Sequence, residues 1–202
     1  MESETMSELR AVNGTADVPD GPVEIDGTEA YDMRIDPEAR LLCGLMWTDT
    51  ATGEIAKVID FLTEADFAHY AHARLFGLIK AQHTAGEPME ATIVASKADA
   101  AGSAGRDGWP GGKTPQMHIL EVASLEALPA QVVYLAELVV GRSYRRQFQD
   151  MTTYLTQMGE EAHEDELFDI MTEQGRGQRK AKKRLDTFRR DVLGRTTDTK
   201  ET

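Results

Sequence analysis

The chain has 202 residues, a formal net charge of −13, 41% hydrophobic residues and 28% charged residues, which is enough apolar content for one ordinary domain with a core. Its single cysteine, Cys43, excludes an internal disulfide and a zinc site built from several thiolates. No apolar run reaches membrane-spanning length, and the acidic N-terminus lacks a signal-peptide core. We therefore expect a cytoplasmic protein without a membrane partner.

The first 35 residues are strongly acidic and lack a regular apolar period. Residues 1–36 hold ten acidic and two basic residues, mixed with Gly, Pro, Ser and Thr. Such a segment cannot bury enough apolar surface to offset the entropy lost on ordering. Residues 1–35 are predicted to be a disordered acidic arm.

A helical pattern begins at Asp36, which is placed to cap a helix whose first residue is Pro37. Apolar residues then recur at intervals of three and four through three successive segments, the third of which ends near Gly86. The apolar positions are Leu41, Leu42, Leu45 and Met46 in the first segment, Ile55, Val58, Ile59 and Leu62 in the second, and Phe67, Ala71, Leu75, Leu78 and Ile79 in the third.

Two short helices, Ala91–Ala101 and Gln116–Leu125, flank a glycine-rich loop at 102–115. The loop contains a sequence similar to a phosphate-binding P-loop. However, only three residues separate Gly108 from the Gly112–Lys113 pair, where a P-loop has four, and no buried strand precedes it. We therefore predict a plain loop here and no nucleotide cofactor.

The longest helical tract begins at Pro129. Residues 132–139 are apolar almost all round, which predicts burial on several sides. Farther along, five residues are spaced 4, 3, 4 and 3 and form the seam of a helical hairpin whose tip lies at 159–165. This seam packs either against a second copy or only within its own hairpin. Its residues are Tyr144, Phe148, Met151, Leu155 and Met158.

The C-terminal residues 175–202 reverse the charge of the chain, with ten basic and four acidic residues. Gly175 and Gly177 are predicted to interrupt the hairpin, and the apolar spacing beyond them predicts a basic amphipathic helix. This tail either contacts DNA phosphates or an acidic partner, or is a merely solvated helix. The candidate contact residues are Arg179, Lys180, Lys182, Lys183, Arg184, Arg189 and Arg190.

No strand alternation occurs, so the predicted fold class is all-α, with a small helical head and a long hairpin. The predicted domains are the arm at 1–35, a helical domain at 36–174 and the basic tail at 175–202. Nothing assembles a nucleophile, a base and an oxyanion site, so no catalytic residue is predicted. His69 and His72 have no third ligand near them in the sequence, so no metal is predicted, and Cys43 is expected to be a buried, inert thiol.

Residues 36–170 resemble the N-terminal domain of DnaB-type bacterial replicative DNA helicases. The resemblance rests on the order and spacing of several weak motifs. These are Pro37-Glu38-Ala39 before an apolar helix with Gly44, then Phe67 followed by His72 and Leu75-Phe76, the turn Gly86-Glu87-Pro88-Met89-Glu90, Gly111-Gly112, Tyr134-Leu135-Ala136, and the basic residues Arg142, Arg145 and Arg146. The chain departs from the family in Glu90, where Asp is usual, and in a longer glycine-rich loop.

The resemblance implies a replication accessory protein that docks on a replicative helicase or primase and forms a dimer or higher homo-oligomer. The hairpin seam then becomes the self-association surface, and the protein is nucleoid-associated when bound to a replisome. The family's ATPase motor has no counterpart in these residues, so we expect neither ATP hydrolysis nor unwinding and do not expect an enzyme. Two alternatives are a small DNA-binding regulator working through the basic helix, and a nucleotide-dependent enzyme using Lys113.

Overall fold

The computed structural model describes residues 31–49, 51, 53–100, 109 and 113–195. Within these residues the chain forms seven α-helices and no strand. The prediction of an all-α fold is confirmed. The acidic arm up to residue 30 and nearly all of the glycine-rich loop lie outside these residues. The helices are α1 (Pro37–Met46), α2 (Gly53–Phe61), α3 (Tyr70–Ala85), α4 (Ala91–Ala100), α5 (Pro115–Ala123), α6 (Val132–Glu161) and α7 (Glu164–Asp191).

Local signals set the ends of the helices in the head, which comprises α1–α5. The Asp36 carboxylate accepts a hydrogen bond from the Glu38 amide at 3.2 Å and caps α1, as predicted. Gly86 ends α3 with a φ of 69°, a left-handed conformation that glycine adopts without strain. The apolar residues of α1, α2 and α3 that the periodicity singles out form much of one buried core.

The first helix packs against the beginning of α6 at Gly44, where α1 contributes no side chain. A Cβ atom at Gly44 would lie 2.9 Å from Val132 Cγ2 and 3.3 Å from the Leu128 carbonyl oxygen. Val132, Ala136 and Val139 of α6 are buried against the head on this side. The lack of a side chain at Gly44 therefore allows the hairpin to pack directly on α1.

The hairpin consists of α6 and α7, which are antiparallel and joined at Ala162 and His163. The predicted interruption at Gly175 and Gly177 is wrong, since α7 runs unbroken from Glu164 to Asp191. Each glycine disfavours a helix by about 1 kcal/mol, and packing along α6 outweighs that cost. Residues 175–191 are therefore the second half of the returning arm.

The end of α7 docks into the head. Leu185 and Phe188 are buried, as is Val192 just after the helix, and the rings of Phe188 and Phe61 meet edge to face at 5.1 Å. The periodicity had indicated an amphipathic helix here, and the structure places its apolar face in the core.

The first turns of α6 differ from the prediction of burial on several sides. Tyr134 is 64% exposed and Leu138 is 54% exposed, because α6 contacts the head through one face only. No helix in the described part of the chain is both long and apolar enough to cross a bilayer.

Candidate protein interface

Glu38 links α1 to two other elements. Its carboxylate accepts hydrogen bonds from the Ala68 amide at 2.7 Å and the His69 amide at 3.3 Å, just where α3 begins. The same carboxylate lies 3.2 Å from His72 Nδ1 and 3.7 Å from Arg146 Nη1 of α6. Burial by itself raises the pKa of Glu38, but the hydrogen bonds outweigh burial and hold that pKa below its ordinary value.

Asp66 links the head to both arms of the hairpin. Its buried carboxylate accepts a bidentate pair of hydrogen bonds from Arg184 of α7, at 2.5 and 2.7 Å, and its carbonyl oxygen accepts one from Arg146 of α6 at 2.8 Å. Arg184 also donates to the Phe61 carbonyl oxygen, and its guanidinium lies 4.7 Å from the centre of the Phe61 ring. The base of the hairpin is therefore fixed in orientation.

Carboxylate oxygens of Asp36 and Glu38 and a ring nitrogen of His69 lie within 4.8 Å of one another. The two carboxylates come from a part of the sequence about 30 residues away from His69, so sequence spacing alone could not reveal this cluster. Arg142 lies 3.4 Å from Asp36, and Arg146 lies near Glu38. Guanidinium groups already neutralise these carboxylates, so the cluster serves as a structural ion-pair network.

Other candidate chemical groups are also engaged. Cys43 is buried, as predicted, with its Sγ atom 3.5 Å from the Ala123 carbonyl oxygen. Lys113, the residue on which the nucleotide hypothesis depends, lies 2.7 Å from the Glu121 carboxylate. Thr114 caps α5 by accepting from the Met117 amide.

The five predicted seam residues differ in their surroundings. Tyr144 packs against the core at the base of the hairpin, and Met151 lines a shallow cleft between α6 and α7. Leu155 and Met158 are half-buried, whereas Phe148 is 48% exposed. The arms of the hairpin thus cover part of the seam and leave Phe148 on the outer face.

Phe148 lies in a second row of residues that sequence reasoning missed. Tyr134, Leu138, Gly141, Arg145 and Phe148 are spaced 4, 3, 4 and 3, so they lie in line on the outer face of α6. All except Gly141 are exposed, and Gly141 has open space around its Cα atom. We call these five residues the α6 stripe. The spacing was readable from the sequence, but periodicity does not tell which face of a long helix is buried.

Charge is distributed unevenly along the hairpin. Exposed acids cluster at its tip, at Glu160, Glu161 and 164–166. Exposed bases cluster near the head, at Arg142 and Arg145 of α6 and at 179–183 of α7. The two clusters are separated by about 24 Å along α6, given a rise of about 1.5 Å per residue.

Four of the seven predicted contact residues have acidic neighbours. Lys182 pairs with Asp186, Arg184 with Asp66, Arg189 with Glu137 and Arg190 with Asp191. Arg179, Lys180 and Lys183 are exposed and have no ion-pair partner among the described residues. They lie close together on the outer side of α7.

Comparison with known proteins shows what the chain is similar to. Residues 32–109 match the family model of the DnaB-like helicase N terminal domain. The crystal structure of the N-terminal domain of DnaB helicase from Mycobacterium tuberculosis is similar, with 21% sequence identity and a TM-score of 0.54. The alignment covers 76% of this chain and 95% of that one. No curated protein matches the chain.

The resemblance predicted from the sequence is therefore confirmed: residues 32–109 match the DnaB-like helicase N terminal domain, and the described chain has the fold of that domain.

Proposed function

We propose that this protein is a DNA replication accessory protein that serves as a docking and oligomerisation module for a replicative helicase or primase. The family match supports a role in replication, and the matched family model is a helicase N-terminal domain. The observation that carries the proposal is the α6 stripe, in which the exposed apolar side chains of Tyr134, Leu138 and Phe148 lie on one face of α6 and no described element covers them. Exposed apolar rows of this kind mark protein interaction sites.

The α6 stripe suits another helix better than a flat surface. Its 4–3 spacing is the repeat by which two helices pack side by side, and Gly141 allows the partner backbone to approach closely. Tyr134, Leu138 and Phe148 supply large apolar side chains on either side of that glycine. A second copy of α6 fits this description.

The spacing of the α6 stripe favours an antiparallel pair. With Gly141 of one copy facing Gly141 of the other, a twofold axis would place Tyr134 of each copy opposite Phe148 of the second copy, because both residues lie seven positions from Gly141. Aromatic side chains that meet in this way stabilise a helix pair. We therefore propose a symmetric, antiparallel dimer of hairpins as the unit of self-association.

The test is the molar mass of the full chain by light scattering across a range of concentrations. Leu138→Glu with Phe148→Glu is expected to shift the protein to monomer, because two charges would be buried in the dimer. The matched control is Gln149→Glu with Thr153→Glu, which adds the same charge at exposed positions outside the α6 stripe. A wild-type chain that stays monomeric at its highest attainable concentration, or equal dissociation in both variants, contradicts self-association through the stripe.

Docking is tested separately by mixing the chain with the purified replicative helicase or the primase of its host. We expect one of the two to form a complex that elutes earlier than either component. Failure to bind both contradicts the docking role and leaves the result on self-association standing.

The second candidate function is a small DNA-binding regulator, and the unpaired Arg179, Lys180 and Lys183 favour it. Their combined replacement by alanine should remove salt-dependent DNA binding while the helix stays folded, since all three are exposed. Binding to duplex DNA that is unchanged in this variant would contradict a role for the basic face.

A further inference from the structure

A groove of about 550 Å³ opens on the head between the end of α1, the turn before α4, and α5. The buried side chains of Met46 and Met89 line it, and two large exposed side chains, Trp47 and Leu120, border it. The volume lies in the range of pockets that take a small ligand or a few side chains of a peptide. Methionine adapts its shape readily, which suits a surface that must fit a partner side chain.

Trp47 is held in place although it is 61% exposed. Its indole N–H donates a hydrogen bond to the Ala123 carbonyl oxygen of α5 at 2.8 Å, so the ring bridges α1 and α5. A ring fixed in this way offers its apolar surface to a partner without losing further freedom on binding. Tryptophan is enriched among the residues that contribute most to binding at protein interfaces, and a fixed side chain loses less entropy on binding.

The groove is negative. Asp49 and Glu90 are its charged lining residues, and both are exposed. The C-terminal ends of α1 and α5, at Met46 and Ala123, also border it and contribute partial negative charge. Glu90 directly precedes α4 and offsets the positive end of that helix. A cationic side chain that enters the groove is therefore attracted by both carboxylates.

We infer that this groove binds a short segment of a partner protein in which an apolar side chain is flanked by Lys or Arg. The apolar side chain occupies the space over Met46 and Met89, and the basic side chains lie against Asp49 and Glu90. The inference extends the proposed docking role to the head. It is tested independently, because the groove shares no residue with the α6 stripe.

The two tryptophans of the chain allow a direct test, since Trp109 is only 7% exposed and Trp47 is accessible. The probes are a short amphipathic Leu/Lys peptide without aromatic residues and the same peptide with every Lys replaced by Glu. The Lys peptide is expected to shift the emission of the full chain to shorter wavelength and to protect Trp47 from acrylamide, saturably. Trp47→Phe should abolish both changes.

Charge variants separate groove binding from general attraction to an acidic protein. Asp49→Asn with Glu90→Gln should weaken binding of the Lys peptide by about tenfold. Glutamine at 90 can still accept the hydrogen bond from the Thr92 hydroxyl, so the turn is kept. The matched control is Glu160→Gln with Glu161→Gln, the same change of charge at the hairpin tip, which should bind like wild type.

Three results would overturn the inference: equal weakening in the groove variant and the tip variant, equal binding of the Lys and Glu peptides, or unchanged quenching of Trp47 at saturation. None of these results bears on whether the hairpin self-associates, which the molar mass of the stripe variant decides.

Discussion

His118 is a buried side chain whose two ring nitrogens make no hydrogen bond in the described part of the chain. It lies between His72 and Trp109. Burial lowers the pKa of His118 to about 4, and the neighbouring His72 acts in the same direction. The neutral form is therefore the one that the fold accommodates.

A dependence of stability on pH follows from this lowered pKa. Between pH 6.5 and 4 the unfolded chain binds a proton at His118 and the folded chain does not, so stability falls as the pH falls through this range. We expect this residue to cost about 2 kcal/mol between pH 7 and pH 5. His118→Phe should remove that part of the loss, as measured by urea unfolding at the two pH values. Equal losses in wild type and variant would contradict the prediction.

Arg184 and Lys183 are neighbours in sequence with different roles. Arg184 neutralises the buried carboxylate of Asp66, whereas Lys183 is exposed and has no described partner. Arg184→Ala should lower the free energy of unfolding by about 3 kcal/mol, because a buried charge loses its partner. Lys183→Ala should change it by less than about 0.5 kcal/mol. Similar values for both variants in chemical denaturation would show that the Asp66 pair does not hold the hairpin.

At the scale of the elements, three helical glycines differ in the space around them, and replacing each by alanine tests how the helices are arranged. Gly175 and Gly177 lie within α7 with open space around them, and Gly44 lies against Val132 and Leu128. Replacing Gly175 and Gly177 by alanine should stabilise the protein by about 0.5–1 kcal/mol each, because the helix is continuous there. Gly44→Ala should destabilise it by about 2 kcal/mol, through overpacking.

Thermal unfolding of the three variants measures these changes. No gain at Gly175 and Gly177 would indicate that the helix breaks there, as the sequence had suggested. No loss at Gly44 would mean that α1 and α6 can separate without cost.

The elements with local signals were the ones that sequence reasoning predicted well. The cap at Asp36 and the stop at Gly86 depend on residues within a few positions of the helix end, so α1 and α3 were predicted closely. The hairpin followed from its spacing and its polar tip. The docking of α7 was not predictable, because Asp66 and Arg184 are 118 positions apart and only the folded chain brings them together.

The same reasoning explains what was missed in the candidate site. Periodicity shows which residues share a face, and it placed Tyr144 and Met158 in one seam. It does not show that the head covers one side of α6 and leaves Tyr134 and Leu138 exposed. The groove at Trp47 is lined by residues from three segments of the chain, so no local sequence pattern predicts it.

At the scale of the whole molecule, the position of the α6 stripe predicts how self-association responds to salt. In an antiparallel dimer centred on Gly141, the contact consists mainly of the apolar side chains of Tyr134, Leu138 and Phe148, and the acidic tips of the two hairpins lie far apart. Salt screens exposed charges but does not weaken apolar contacts, so raising the ionic strength from 50 mM to 500 mM, about a tenfold change, should not weaken the dimer, as measured by sedimentation equilibrium. A dimer that dissociates as salt is added would indicate that ion pairs hold it and that the stripe is not the contact.

The burial of Phe188 in the head bears on how the chain can be cut. A protein shortened before Arg184 would lose the Phe188 ring that packs on Phe61, and also the guanidinium that neutralises Asp66. Removing the basic C-terminal segment would therefore empty part of the core, and any loss of DNA binding that followed would reflect a damaged head. Point substitutions on the outer side of α7 leave these contacts in place, so they can separate recognition from folding where truncation cannot.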